Sequence, residues 1–283
     1  MNKLALGTVQ FGINYGINNS HGIPSDKELD EILNFASKSG VKIIDTAIAY
    51  GNCEERLGNL MKNDFRIISK FSGVVNEKDL NKFITQTLNK LKCSKLYGFL
   101  AHNSNDLIKN NLIWDYLKNL KLINKVQKIG YSVYDTGQLE ELIELGFIPD
   151  IIQLPYNLLD RQFERYFEIL KQHKVEIHVR SIFLQGLYFM TLNKLPIYLS
   201  PLKKDINFLH SICENYNISM ASLAMNFVKQ NSYIDHIVMG VESKKQLEEN
   251  TMVLNEKLNQ KIIDLVLTIN VKNKNLLNPV NWE

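Results

Sequence analysis

Short apolar runs rich in Ile and Val recur along the chain, separated by longer stretches in which apolar residues return every three or four positions. The short runs predict strands at residues 4–7, 41–45, 65–69, 97–100, 128–132, 151–153, 175–179 and 237–239. The longer stretches predict helices at 26–39, 80–91, 137–145, 161–172, 202–215, 219–231, 244–254 and 257–270. The first of these places Leu29, Ile32, Leu33 and Ala36 on one face, behind Ser25 as its N-cap. Buried strands alternating with helices imply parallel βαβ units. Eight strands with no GxGxxG turn after the first favour a closed (β/α)8 TIM barrel, in the α/β class, over an open doubly wound sheet. No linker or Pro/Gly-rich boundary interrupts the pattern, so a single domain over 1–283 is expected, with residues 12–25 as a long loop.

Composition narrows the function classes. The chain has 283 residues, 45% of them apolar and 22% charged, as in ordinary globular proteins. Its 33 basic and 30 acidic side chains are interleaved, so no nucleic-acid partner is expected. Cys53, Cys93 and Cys213 are far apart and form no CxxC or Cys/His spacing, which argues against a disulfide framework or a metal site. The N-terminal residues lack a signal-like apolar stretch and no run reaches membrane-spanning length, so a cytoplasmic protein with no membrane partner is expected.

Chemistry in a parallel barrel sits at the C-terminal ends of the strands. Four polar residues meet that requirement: Asp45 ends the second strand, Tyr50 follows it in DTAIAYG, Lys70 ends the third strand and His102 closes the fourth. Each alone has an ordinary structural reading as a cap, a packed ring, a snorkelling amine or a satisfied imidazole. Together they suit carbonyl reduction, which needs a proton for the developing alkoxide. A free phenol, with pKa about 10, is poorly matched to that task near neutrality. A neighbouring ammonium would lower it, so Lys70 is expected to depress the Tyr50 pKa, Asp45 to hold Lys70, and His102 to orient the substrate oxygen.

LGTVQFG, DTAIAYGNCEERLG, Lys70 and His102 resemble the aldo-keto reductase superfamily over about residues 4–250. The resemblance implies a (β/α)8 barrel that reduces an aldehyde or ketone with NADPH, or alternatively NADH, and a catalytic tetrad of Asp45, Tyr50, Lys70 and His102. It further implies a dinucleotide held by Gly7, Thr8, Asp45, Ser132, Gln153, Arg180, Ser181, Leu184, Gly186, Gly240, Ser243, Gln246 and Asn250. Val133 stands where many relatives have Asn, and Arg180 where many stack a Tyr on the nicotinamide. At the adenosine end, Lys244 and Lys245 would attract a 2′-phosphate and Glu242 would repel it. Several segments, including RSIFLQGL and the terminal NPVNW, resemble bacterial members from surface-polysaccharide gene clusters, which suggests a sugar-derived carbonyl. Gln10, Phe11, Tyr15, Asn157 and Trp282 are the candidate substrate contacts. Cys53 is expected to be inert, because no local cation marks it as a thiolate. Two other readings remain open: a dinucleotide-binding regulatory protein with little turnover, and an unrelated barrel using Lys70 as a Schiff-base nucleophile.

Overall fold

A computed structural model of the chain describes residues 3–19, 21–62, 64–74, 76–254 and 256–282. Its first half runs β1 (Leu4–Gly7), α1 (Asp26–Lys38), β2 (Ile43–Asp45), α2 (Cys53–Leu60), β3 (Arg66–Phe71), α3 (Glu77–Leu91), β4 (Leu96–Ala101), α4 (Asn105–Lys109), α5 (Leu112–Leu122) and β5 (Val126–Ser132). The second half continues with α6 (Thr136–Glu144), β6 (Ile151–Pro155), α7 (Glu164–Gln172), β7 (Glu176–Arg180), α8 (Lys203–Tyr216), α9 (Met220–Lys229), β8 (His236–Gly240), α10 (Lys244–Val253) and α11 (Gln260–Leu267). The strands pair in parallel in chain order, and β8 closes onto β1. This is the (β/α)8 barrel that the alternation predicts.

Three helices escape the periodicity reading: α2, α4 and α5. Three expected helices are shorter than their apolar pattern by three or more residues, α9 (220–229 against 219–231) among them. α7 starts at Glu164 rather than 161, and the Arg161 guanidinium bonds the Leu158 and Ile269 carbonyls outside the helix. α11 starts after Asn259, whose side chain accepts from the Lys261 amide and caps the helix there. Ser25 caps α1 as expected, accepting from Glu28 N.

The pleat sorts side chains into two cores. Ala5, Ile43, Ile68, Leu100 and Ile151 fill the barrel interior with Val238 packed beside them. Leu4, Leu6, Ile44, Ile67, Phe71, Ile152 and many helical residues fill the layer between sheet and helices. Side chains alternate sides along a strand, so the residue two places after each interior residue also points inward, one layer nearer the barrel mouth. Those next positions are Gly7, Asp45, Lys70, His102, Gln153 and Gly240. The same two-residue period that builds the apolar plug therefore sets the polar residues at the mouth above it.

Candidate active site

The mouth opens into a cavity of about 890 Å³. Asp45, Tyr50 and His102 line it, as do Gly7, Thr8, Gln10, Tyr15, Gln153 and Arg180. Lys70 lies just beneath. Its side chain is fully buried, and its ammonium donates to Asp45 Oδ1 at 2.5 Å and to the Thr46 carbonyl at 2.9 Å. The other Asp45 oxygen accepts from Gln153 Nε2 at 2.8 Å. An acid, an amine and an amide from three strands thus form one fixed polar floor.

Tyr50 stands over that floor. Its ring meets the His102 ring edge to face, with centroids 5.7 Å apart and planes at 84°. Lys70 Nζ lies 5.4 Å from the Tyr50 centroid. Burial, and next the Asp45 charge, push the Tyr50 phenol well above its ordinary value. This corrects the expectation that Lys70 lowers it: the ammonium is already matched by Asp45, while the phenol loses water on folding. Burial likewise lowers the Lys70 ammonium, with Asp45 opposing the shift. His102 is pushed down to about 3, by burial first and then by the Lys70 and Arg180 charges. The site at neutral pH therefore presents a protonated phenol beside a neutral imidazole.

Close backbone packing holds Tyr50. A Cβ on Gly12 would fall 1.8 Å from the Tyr50 carbonyl oxygen, and one on Gly51, whose φ is +59°, would fall 2.5 Å from the Gly12 oxygen. The loop after β1 and the Tyr50 turn therefore interlock through two glycines. The EER segment of α2 fastens the same joint. Arg56 donates to the Phe11 and Pro24 carbonyls, while buried Glu54 accepts from Ser69 Oγ and Thr87 Oγ1. Sequence reasoning assigned no role to these residues, although the repeated FG and YG pairs were a usable signal.

The remaining expected site residues divide into two groups. Ser181, Gly186, Gly240, Gln246 and Asn250 line the cavity. Leu184 does not: it is fully buried in the outer core, and its neighbours Phe183 and Gln185 face the opening instead. Ser132 and Ser243 are also set back from it. Ser132 Oγ accepts from Arg180 Nε at 3.4 Å, and Ser243 caps α10 through Gln246 N. Among the substrate candidates, Gln10 and Tyr15 line the cavity, whereas Phe11, Asn157 and Trp282 do not. Phe11 is a fully buried core residue. Asn157 spends its amide inside the loop after β6, bonding the Ser181 carbonyl, the Leu159 and Asp160 amides and the Tyr188 hydroxyl. Trp282 donates to the Leu276 carbonyl, and it is Pro279 and Val280 that bring the C-terminal segment to the cavity.

Arg180 Cζ sits 4.2 Å from the Tyr134 centroid, and its Nη2 donates to the Val133 carbonyl at 3.0 Å. Cys53 is buried, its thiol bonded to the Thr8 carbonyl and raised by burial, the opposite of an activated nucleophile. Among the described residues no group of three or more His, Cys, Asp or Glu side chains could hold a metal, and no helix is long and apolar enough to cross a membrane.

The aldo/keto reductase family model matches residues 3–270. The chain belongs to the aldo/keto reductase family. It is 26% identical over 275 residues to the NADH-specific methylglyoxal reductase of Escherichia coli, covering 80% of this chain and 82% of that protein. This family member also superposes on an aldo-keto reductase from Bacillus halodurans in its holo form, with TM-score 0.75 and 16% identity over 96% of this chain and 94% of that one. The glycerol dehydrogenase of Gluconobacter oxydans gives TM-score 0.76 and 18% identity over 96% and 93%. These two likenesses concern the fold. Family membership makes the chain an oxidoreductase.

Proposed function

We propose that this protein reduces a small aldehyde or ketone, a sugar-derived carbonyl among the candidates, to an alcohol using a reduced nicotinamide dinucleotide. The reading rests on one observation: the Tyr50 phenol and the His102 imidazole, ring against ring, line one cavity together with Asp45, which holds the Lys70 ammonium beneath. The cavity also fits the cofactor. Gly7 and Gly240 leave a flat wall where side chains would intrude, since a Cβ on Gly240 would fall 2.3 Å from Gln10 Oε1. That same Gln10 oxygen is buried with no hydrogen-bond partner in the protein.

A reduced nicotinamide, when bound, supplies the hydrogen and electron pair that the carbonyl carbon takes up. The chain's own residues do the rest. Tyr50 Oη donates its proton to the carbonyl oxygen, forming the new O–H bond, and regains a proton from solvent after turnover. The phenol is protonated at neutral pH, the form a donor needs. His102, neutral, aligns the substrate oxygen toward Tyr50. Asp45 and Gln153 fix Lys70 beneath the ring, and the three together form the rigid polar floor on which Tyr50 stands.

The test is nicotinamide fluorescence titration of the purified protein, followed by cofactor oxidation over a panel of small aldehydes. Binding with turnover is expected, and no binding of either dinucleotide would overturn the proposal. Binding with no turnover over a broad panel would favour the regulatory reading. The Schiff-base reading is disfavoured because the Lys70 amine is fully buried with two partners and offers no open face to a substrate.

A further inference from the structure

The cavity runs from the Tyr50 end past the loop after β7 to a second end built by β8 and α10, where Glu242, Gln246, Glu249 and Asn250 line it. With the nicotinamide beside Tyr50, this second end is where the dinucleotide's other ribose falls. The inference therefore rests on the proposed function and concerns the same site.

The charges there are mainly negative. Glu242, with a side chain only 14% exposed, is held in place by Gln246 Nε2 at 3.3 Å and faced by His21 Nδ1 at 3.5 Å. The two lysines that could attract a phosphate are engaged: Lys244 pairs with Glu248 at 3.1 Å and Lys245 with Glu249 at 3.8 Å, and neither lysine lines the cavity. A helix N-terminus would otherwise offer amides to a phosphate. Here the Lys244 amide already donates to the Glu28 carboxylate at 2.6 Å, and the Gln246 amide to the Ser243 hydroxyl. A carboxylate from α1 thus already takes one of the amides at the start of α10. Of the carboxylates in this region Glu242 and Glu249 line the cavity, and no lysine does.

We propose that Glu242 makes this end of the cavity selective for a ribose with both hydroxyls free, so that the protein takes NADH and rejects NADPH. A carboxylate accepts hydrogen bonds from ribose hydroxyls, whereas a 2′-phosphate brings two negative charges toward it, and no lysine lines this end of the cavity to offset them. The family resemblance pointed to NADPH through Lys244 and Lys245. Neither lysine lines the cavity, and each is paired with a glutamate one turn on, which weakens that argument.

Binding titrations with NADH, NADPH, ADP and 2′,5′-ADP, for the wild type and Glu242→Gln, test the proposal without requiring turnover. NADH is expected to bind at least about tenfold tighter than NADPH, equivalent to about 1.4 kcal/mol, and ADP tighter than 2′,5′-ADP. Glu242→Gln preserves the side-chain shape and should shrink both ratios, chiefly by improving the phosphorylated ligands. NADPH binding as tightly as NADH in the wild type would overturn the inference while leaving the proposed function standing. So would unchanged ratios in the variant, provided its thermal unfolding remains cooperative and near that of the wild type. Binding of none of the four ligands would overturn both.

Discussion

Lys70 and Asp45 form an ion pair almost wholly removed from water, so each depends on the other. Breaking a buried pair by removing one partner leaves an uncompensated charge. Lys70→Met should therefore destabilise the fold by about 3–5 kcal/mol in urea unfolding. Tyr50→Phe, which removes one hydroxyl, should cost far less. The same desolvation governs His102. With its pKa near 3, the imidazole stays neutral over the whole range of about pH 5 to 8 where histidines usually titrate. Its NMR shifts should be flat across that range, and a midpoint near 6.5 would contradict the account. The four chemical groups were legible from strand-end position and family resemblance, but the direction of the Tyr50 shift was not. It depends on how much water the ring loses and on where the Asp45 charge points, which are three-dimensional quantities.

At the scale of elements, two close approaches make glycine necessary. A Cβ on Gly130 of β5 would fall 1.8 Å from the Ile151 carbonyl oxygen of β6, a backbone atom that cannot swing aside. Gly130→Ala should cost about 3 kcal/mol by forcing those strands apart. Gly12→Ala acts instead on the joint beneath Tyr50, so it should lower kcat more than it weakens dinucleotide binding; equal losses in both would argue against a positioning role. The strands were readable because each is a short apolar run, and α1 because a cap precedes an amphipathic pattern. In contrast, CEERLGNL of α2 uses Glu54 and Arg56 as buried or half-buried bonding groups. Such a helix does not show a simple apolar stripe. Three of the five substrate candidates are set back from the cavity. Phe11 follows the lining Gln10 and Trp282 lies two places beyond the lining Val280, but neighbours in a loop need not face the same way.

For the whole molecule, the barrel separates the chemistry from a second polar layer at its opposite end. There His178 and His236 lie 4.7 Å apart, and Glu176 accepts from Tyr97 at 2.8 Å and from Lys128. His236 is lowered to about 4, by burial first and then by His178. The unfolded chain binds a proton at this imidazole near pH 6.5, while the folded chain refuses it until about pH 4. The contribution to stability is therefore complete above 6.5 and is lost as pH falls toward 4. His102 adds to the loss in the same direction. The melting temperature should decline through that window, and less steeply in His236→Asn. Single-turnover oxidation of prebound NADH by an aldehyde substrate, comparing wild type with Tyr50→Phe, tests the central claim most directly. The account predicts a loss of about 10²–10⁴-fold in the rate with dinucleotide affinity unchanged. A variant that reacts within a few-fold of the wild type would contradict Tyr50 as the proton donor.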